Sequence, residues 1–288
     1  MAVALKKIAN ETSPIVKWVG GKRQLLDEIN KYIPKKFNTY YEPFFGGGAV
    51  LFHLQPKKAV INDLNMDLIT TYRVIKDKPN ELIEALKKHK NTSDYFYELR
   101  NIDLDSEKYK KLTDVEKAAR LIYLNKTCFN GLFRVNSSGH FNTPFGNYKN
   151  PNIVNEPVIK AVNLYFKTND ITISNDDYAV VLQNVKAGDF VYLDPPYDPV
   201  SDTSSFTGYN AGGFTRKNQE ELRDVCIELD KKGVNFLLSN SATSYIKEIY
   251  DASLFKVLKV EIVKAKRNIN SNGNKRGEVD EVLIRNYE

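Results

Sequence analysis

The stretch VYLDPPYDPV places Asp194, Pro195, Pro196 and Tyr197 directly after three apolar residues. Two consecutive prolines fix φ twice and remove two N–H donors, so a strand must end here. Asp194 is a hydrogen-bond acceptor at neutral pH, the Pro195 carbonyl is a second, rigidly held acceptor, and Tyr197 offers a stacking face. Two acceptors beside an aromatic ring suit a planar ligand that carries an –NH₂ group. The alternative is a proline-rich strand end with a solvated aspartate.

A second group surrounds the glycines of PFFGGGAV, where the spacing F-x-G-x-G is formed by Phe44, Gly46 and Gly48. A glycine-rich turn between a strand and a helix lets a ligand approach the backbone, and the helix N-terminus carries partial positive charge. Asp63 closes the next strand, where an acid can accept hydrogen bonds from ribose hydroxyls. The contiguous glycines depart from the dinucleotide fingerprint. The group fits a nucleoside cofactor in general, or else a tight turn with a strand-end acid.

The stretch KWVGGK, residues 17–22, holds the single tryptophan of the chain, Trp18. Two glycines between an aromatic residue and a lysine could fold a loop over a ligand, with Lys22 facing a carboxylate. A surface turn is the alternative.

Strands and helices around these groups have the pattern of a doubly wound parallel sheet. Three strand patterns end at these groups. TYYEPFF ends at the glycines, KAVIND ends at Asp63, and VYL ends at Asp194. The segment LNMDLITTYRVIKD has helical periodicity and ends at Pro79, and Thr215 is a candidate N-cap of a later helix. Ligands of such sheets lie at the carboxyl ends of the strands, where Asp194–Tyr197 is expected.

Residues 80–165 differ from this framework in composition. They are polar, charged and aromatic, with helical patterns as far as Leu124, and then a loop-rich stretch from Phe129 to Pro151. Such a stretch is typical of a recognition module. We therefore predict three segments, with residues 1–79 and 166–288 forming one domain and residues 80–165 a second.

Composition limits the classes of function. The net charge of +6 and the pI near 9.0 suit a polyanionic partner without proving one. Two cysteines and three scattered histidines indicate neither a disulfide framework nor a metal site. The N-terminal segment has too short an apolar run for a signal peptide, and no window reaches the roughly 18 apolar residues of a membrane span. A cytoplasmic protein without a metal ion and without a membrane partner is expected.

The motifs K-W-x-G-G-K, E-P-F-x-G-G-G, N-D-x-N and D-P-P-Y occur in this order, together with N-G-L-x-R, F-N-x-P-x-G and L-S-N-S. As an ordered set over nearly the whole chain, they resemble the DNA adenine-N6 methyltransferases of the Dam family, the D12 class, especially its GATC-recognising members. The resemblance implies a Rossmann-like, S-adenosylmethionine-dependent α/β fold with an inserted, mainly helical target-recognition domain at residues 80–165.

The resemblance also assigns site residues. Catalysis would fall to Asp194, Pro195, Pro196 and Tyr197. The residues implied to bind S-adenosyl-L-methionine are Trp18, Lys22, Pro43, Phe44, Gly46, Gly48, Asp63, Asp177, Tyr178 and Asp194. Within N-D-D-Y, residues 175–178, the sequence leaves open which acid faces the ligand.

Double-stranded DNA is the implied partner, and the target adenine would be flipped out of the duplex. Arg134 would read a guanine, and Lys17 a base edge or a phosphate, although solvated surface charges are the alternative for these two residues. The residues implied to bind DNA are Lys17, Asn130, Leu132, Arg134 and Pro144, and the tail adds phosphate contacts from Arg267, Lys275 and Arg276.

The expected activity is methyl transfer to adenine N6 within GATC by a monomer encoded by a bacterium or a phage. The enzyme would act alone or beside a cognate restriction endonuclease. Alternatives are another DNA site, RNA adenine, or an inactive DNA-binding regulator. Glutamine-directed relatives generally carry N-P-P-Y, so Asp194 favours adenine. Cytosine C5 methylation needs a thiolate that usually follows proline, whereas Cys128 follows Thr127 and Cys226 follows Val225.

Overall fold

The computed structural model describes residues 11–200, 213–266 and 278–288. The contacts divide the chain into two compact units, each of which is described by itself. Unit 1 comprises the described residues up to Gly21 together with Gly46–Lys57 and Asp63–Asn175. Unit 2 comprises Lys22–Phe45, Lys58–Asn62 and the described residues from Asp176 onward. The division at residues 79 and 165 stays a prediction.

The described residues form seven strands. They are β1 (Tyr40–Glu42), β2 (Lys58–Asn62), β3 (Asp170–Ser174), β4 (Phe190–Leu193), β5 (Asn235–Ser241), β6 (Lys259–Lys266) and β7 (Glu278–Arg285). All except β3 belong to unit 2, where they run in the order β2-β1-β4-β5-β7-β6. The neighbours from β2 to β5 are parallel, and β7 is antiparallel to β5 and to β6.

The α-helices of the described residues are α1 (Leu26–Tyr32), α2 (Ala49–Leu54), α3 (Met66–Asp77), α4 (Pro79–Lys87), α5 (Ser93–Arg100), α6 (Ser106–Lys110), α7 (Asp114–Thr127), α8 (Glu156–Thr168), α9 (Tyr178–Val181), α10 (Arg216–Lys231) and α11 (Ser244–Ile249). Unit 1 holds α2 to α8, and unit 2 holds the other four.

The core of unit 2 lies between its sheet and α10. All four residues of β4 are buried, as expected for a central strand of a parallel sheet that is covered on both faces. Helix α10 buries Leu222, Cys226 and Leu229, which recur at helical spacing. The predicted N-cap of α10 is confirmed, because the Thr215 side chain accepts a hydrogen bond from the backbone N–H of Asn218.

The core of unit 1 is built around α7. A capping box of Thr113 and Glu116 starts this helix, and residues 118–125 are buried without interruption. Arg120 lies within this run, where it forms an ion pair with Asp103 at 3.0 Å and donates hydrogen bonds to the carbonyls of Leu99 and Arg100. Unit 1 is therefore mainly helical, and with the sheet of unit 2 the predicted α/β fold class is confirmed.

None of the described helices is long and apolar enough to cross a membrane. In the same described ranges, no group of three or more His, Cys, Asp and Glu side chains could hold a metal ion.

Candidate active site

Asp194–Tyr197, here called the proline corner, follows the end of β4 in unit 2. Lys22 begins a short 3-10 helix, and its ammonium lies 2.8 Å from Asp194 Oδ1. The same ammonium lies 4.6 Å from the centroid of the Tyr197 ring. The Tyr197 hydroxyl donates a hydrogen bond of 2.8 Å to Glu281 Oε2 on β7. The proline corner and its neighbours Lys22 and Glu281 therefore bring together one cation, two carboxylates and one aromatic ring.

Burial and charge act in opposite directions on the Asp194 carboxyl. Burial raises its pKa to about 6, while the Lys22 ammonium holds this pKa lower than burial alone would. Glu281 raises it further through charge repulsion. Above about pH 6 the carboxylate is thus ionised and able to accept hydrogen bonds, and Lys22 is the main reason why the ionised form persists in a buried position.

The proline corner is fixed by side chains of α10 and β5. Gln219 is buried and donates from Nε2 to the Pro196 carbonyl at 2.8 Å, while its Oε1 accepts from Asn240 Nδ2 at 3.0 Å. Asn240 Oδ1 in turn accepts the backbone N–H of Asp198 at 3.2 Å. Because proline residues lack N–H donors, these side-chain bonds replace the ladder that the strand has lost.

Asp198 adds a second anchor directly after the corner. Its carboxylate is buried and accepts from Thr243 Oγ1 at 2.8 Å and from Arg216 Nε at 3.2 Å. Ser241 Oγ donates to the Asp198 carbonyl at 2.7 Å. This aspartate therefore holds the backbone after Tyr197 against the sheet.

Three aromatic rings form a second feature of unit 2. Phe44 lies after β1, 5.0 Å from Tyr178 and 6.0 Å from Phe214, measured between ring centroids. Phe44 and Phe214 are half-buried and keep exposed surface, whereas Tyr178 is buried. The planes of Phe44 and Phe214 lie at 89° to each other, so the exposed part of either ring offers apolar contact to a planar ligand.

Asn62 orders the backbone beside these rings. Its Nδ2 donates to the Pro43 carbonyl at 3.1 Å and to the Asp176 carbonyl at 2.9 Å, and its Oδ1 accepts the Asp176 N–H at 2.8 Å. The Asp177 carboxylate is exposed and accepts from the Ala179 N–H at 2.8 Å, so it caps α9.

The glycine turn, Gly46–Gly48, belongs to unit 1 and is shaped by Trp18 and Asp63. Gly46 has a φ of 50°, and a Cβ there would lie 2.9 Å from Trp18 Cδ1, so this position has room only for glycine. Gly48, with a φ of 70°, precedes α2. The Trp18 indole stacks on Phe133 with 4.5 Å between ring centroids. The turn is therefore packed against the indole.

Both carboxylate oxygens of Asp63 accept backbone hydrogen bonds, from the Gly46 N–H at 2.8 Å and from the Asn65 N–H at 2.9 Å. Burial raises the pKa of Asp63, and these two N–H groups oppose the shift. Asn65 caps α3 through the Leu68 N–H. The N-D-x-N motif thus braces its own turn, and each Asp63 oxygen keeps a second lone pair for another donor.

The predicted DNA-binding residues lie in one region of unit 1 around the C-terminus of α7. Asn125 Oδ1 accepts the Lys17 N–H at 2.8 Å, and Asn125 Nδ2 donates to the Lys17 carbonyl at 2.8 Å and the Gly131 carbonyl at 3.1 Å. Lys17 Nζ donates to the Asn130 carbonyl at 3.2 Å. The buried Asn125 amide therefore holds Lys17 beside the turn that contains Asn130 and Gly131.

Arg134 lies in a hairpin closed by the bridge between Val135 and Phe141. Its Nε donates to Asn142 Oδ1 at 2.6 Å and one Nη donates to the Asn142 carbonyl at 3.2 Å. Asp103 Oδ2 accepts the Phe141 N–H at 2.9 Å, which ties the hairpin to the helices. The guanidinium is thus held at its inner edge by Asn142.

Leu132 and Pro144 contribute backbone carbonyls to the same region. The Leu132 carbonyl accepts from Thr143 Oγ1 at 2.7 Å, and the Pro144 carbonyl accepts the Phe129 N–H at 2.8 Å. The Phe129 ring is 54% exposed. The predicted phosphate contacts Arg267, Lys275 and Arg276 lie outside the described residues.

A family model described as "D12 class N6 adenine-specific DNA methyltransferase" matches residues 18–269 of the 288-residue chain. The chain belongs to this family. It is an adenine-specific DNA methyltransferase, an activity that requires a methyl donor and DNA as the substrate.

Curated relatives match this methyltransferase over nearly its full length. It is 43% identical to the type II methyltransferase M1.LlaDCHI of Lactococcus lactis subsp. cremoris, with 98% of each chain covered. It is 40% identical to the type II methyltransferase M.MjaIII of Methanocaldococcus jannaschii, over 96% of this chain and 100% of that one. It is 33% identical to the DNA adenine methylase of Escherichia coli strain K12, with 93% of each chain covered.

Four residues of the methyltransferase that support the proposed site were not predicted from the sequence; three contact site residues directly, and Asn240 acts through Gln219 and Asp198. They are Phe214, Gln219, Asn240 and Glu281. Asn240 lies within the L-S-N-S motif, and Phe214 lies directly before the N-cap Thr215, so position gave a partial signal for these two. Gln219 and Glu281 carry no local pattern that points to the proline corner.

Proposed function

We propose that this methyltransferase transfers a methyl group from S-adenosylmethionine to N6 of a flipped-out adenine within GATC in double-stranded DNA. The observation that carries the proposal is the proline corner, where Asp194 is held next to Lys22 by an ion pair of 2.8 Å and the Pro196 carbonyl is fixed by Gln219. The Asp194 carboxylate and the Pro195 carbonyl are the two acceptors proposed for the amine of adenine, and the Tyr197 ring is proposed to stack on its ring.

The residues fit S-adenosylmethionine. Asp63 has lone pairs available for ribose hydroxyls, and the half-buried rings of Phe44 and Phe214 offer a surface for its adenine. We propose the following residues as its binding set: Trp18, Lys22, Pro43, Phe44, Gly46, Gly48, Asp63, Asp177, Tyr178 and Asp194. When bound, this cofactor supplies an electrophilic methyl group on a sulfonium.

The exocyclic amine of adenine is a poor nucleophile because its lone pair is delocalised into the ring. Asp194 and the Pro195 carbonyl accept hydrogen bonds from its two N–H groups, which favours the pyramidal, nucleophilic geometry and the positive charge that develops during attack. The Asp194 carboxylate can then take the one proton that the amine loses after methylation. Alignment of the reacting atoms supplies much of the remaining acceleration, so no covalent nucleophile is needed. The role of Lys22 is to keep Asp194 ionised despite its burial.

Base flipping costs a few kcal/mol, because the target adenine must leave its stack. Stacking on Tyr197 recovers roughly 1–3 kcal/mol of this cost. Asp194→Ala is expected to leave DNA binding intact and to abolish methylation, while Asp224→Ala, at an exposed position of α10, serves as the control. Methylation by Asp194→Ala within tenfold of the wild-type rate would contradict the proposed role.

Sequence reading is assigned to residues 80–165, the proposed target-recognition domain, with the flanking segments 1–79 and 166–288 as the catalytic domain. Arg134 is proposed to read a guanine, because its planar fork pairs with O6 and N7. Lys17, Asn130, Leu132 and Pro144 are proposed to contact DNA beside it.

The decisive experiment combines tritiated S-adenosylmethionine with DNA duplexes that carry GATC or a site altered at one guanine, and with an RNA of the same sequence. Label is expected only in the GATC duplex. Equal labelling of all duplexes would refute the GATC assignment, and labelling of RNA in preference to DNA would refute the choice of duplex DNA as substrate.

We also propose a cellular setting. The enzyme acts as a cytoplasmic monomer in a bacterium or during phage infection, and serves a restriction-modification system with a cognate endonuclease. Support comes from the relatives named type II methyltransferases, at 43% and 40% identity. Protection of host DNA from an endonuclease that cuts GATC tests this setting, and absence of protection would favour a solitary methylase.

A further inference from the structure

Glu281 contacts the proline corner from a distant part of unit 2. It lies on β7 opposite Ser241 of β5, and its Oε2 accepts the Tyr197 hydroxyl hydrogen at 2.8 Å. A hydrogen bond from a hydroxyl to an ionised carboxylate is roughly twice as strong as one between neutral groups. The far end of the Tyr197 ring is therefore anchored to a strand of the sheet.

Two contacts together restrict both side-chain torsions of Tyr197. The hydroxyl oxygen is the side-chain atom of Tyr197 farthest from the backbone. Its hydrogen bond to Glu281 therefore limits rotation of the ring about the Cα–Cβ bond. The Lys22 ammonium, 4.6 Å from the ring centroid, covers one face and limits rotation about the Cβ–Cγ bond. This second torsion is intrinsically broad for tyrosine, so an external contact is needed to define it.

We propose that Glu281 is a positioning residue of the methyl transfer, holding the Tyr197 ring in the orientation in which the target adenine stacks. The inference rests on the proposed function of the proline corner. Glu281 itself would touch neither the adenine nor the methyl donor, and it acts through the tyrosine hydroxyl. Its loss therefore slows transfer and leaves the affinity for DNA and for S-adenosylmethionine nearly unchanged.

The test compares single-turnover methylation of a GATC duplex by the full-length wild type and the variants Glu281→Ala and Glu281→Gln. Glu281→Ala should lower the rate about tenfold or more, the loss expected for one hydrogen bond to a charged group. Glu281→Gln should restore part of the rate, because its amide oxygen accepts the same hydrogen bond without the charge. Glu278→Ala, at an exposed position of the same strand, should match the wild type.

A double-mutant cycle separates positioning from a general loss of structure. In a Tyr197→Phe background, which lacks the hydroxyl, Glu281→Ala should cost less than twofold. If Glu281→Ala lowers the rate by the same factor in the wild-type and the Tyr197→Phe backgrounds, the inference is overturned. The same holds if Glu281→Gln has an unchanged melting temperature but restores none of the rate. Failure of the proposed function is distinct, since it would appear as retained activity of Asp194→Ala.

Discussion

Replacement of Lys22 by methionine tests how the buried Asp194 stays ionised. The two charges are 2.8 Å apart, and the Asp194 side chain is 20% exposed. At this distance a pair of unit charges interacts by about 1.5 kcal/mol in water and about 6 kcal/mol at an effective dielectric constant of about 20. Each pKa unit corresponds to about 1.4 kcal/mol, so Lys22→Met should raise the pKa of Asp194 by at least about 1 unit.

The sign of the pH effect follows from the role of the ionised form. Only ionised Asp194 both stabilises the positive charge that develops on the amine and accepts its hydrogen bond. The methylation rate therefore falls as the pH drops through the pKa of Asp194. In the wild type this acid limb is expected at about pH 6. In Lys22→Met it should lie at about pH 7 or above. At pH 6 the wild type would keep about half of its plateau rate and the variant about a tenth or less.

The assay is the methylation rate from pH 5 to 9 at low concentrations of S-adenosylmethionine and DNA, because this regime reports the pKa of the free enzyme. Each profile is normalised to its own plateau, which removes any general loss of cofactor affinity. Lys31→Met, which breaks a surface ion pair with Glu28, should leave the limb in place. An acid limb that stays at the same pH in Lys22→Met, or moves to lower pH, would refute the reasoning.

Three further substitutions test other parts of the site. Gly46→Ala should raise the Kd for S-adenosylmethionine at least severalfold in calorimetry, because its Cβ would lie 2.9 Å from the Trp18 indole. Gly139→Ala should leave this Kd unchanged, because Gly139 also has a positive φ but has open space around it. Gln219→Leu should slow single-turnover methylation about tenfold with unchanged DNA affinity, since the corner loses a buried hydrogen bond. Asn142→Ala should reduce discrimination against guanine-altered sites about tenfold or more, because Arg134 loses the hydrogen bond from its Nε to the Asn142 side chain and keeps only the one to the Asn142 backbone carbonyl.

Each of these expectations has an opposing outcome. Equal cofactor affinity of the two glycine variants would show that the indole contact is irrelevant to binding. A weaker DNA complex at an unchanged transfer rate in Gln219→Leu would place that residue in DNA binding instead. Unaltered discrimination in Asn142→Ala would mean that the guanidinium needs no support from the hairpin.

Local chemistry explains why much of the framework could be predicted. The end of β4 directly before Asp194 follows from two prolines that cannot continue a ladder, and the start of α10 follows from the hydroxyl of Thr215. The sequence predicts helical structure as far as Leu124, and α7 continues to Thr127. These features depend on residues within one or two turns of each other, so the sequence contains them explicitly.

Contacts between distant segments were beyond local patterns. Glu281 is 84 residues from Tyr197, and its contact depends on the register between β5 and β7, which aligns Glu281 with Ser241. Gln219 reaches the Pro196 carbonyl only because α10 turns that face toward the corner. The pKa of Asp194 likewise reflects burial, which a residue acquires only when the chain is folded.

The sequence by itself determined the kind of chemistry, because the acceptors and the aromatic ring of D-P-P-Y, the glycine turn and the strand-end Asp63 are fixed by covalent order. Tertiary structure alone decided which partners control that chemistry. It pairs Lys22 with Asp194, Glu281 with Tyr197 and Gln219 with the Pro196 carbonyl. The physical reason is that ionisation and side-chain orientation depend on burial and on neighbours from other elements, whereas the ability to accept a hydrogen bond belongs to the residue itself.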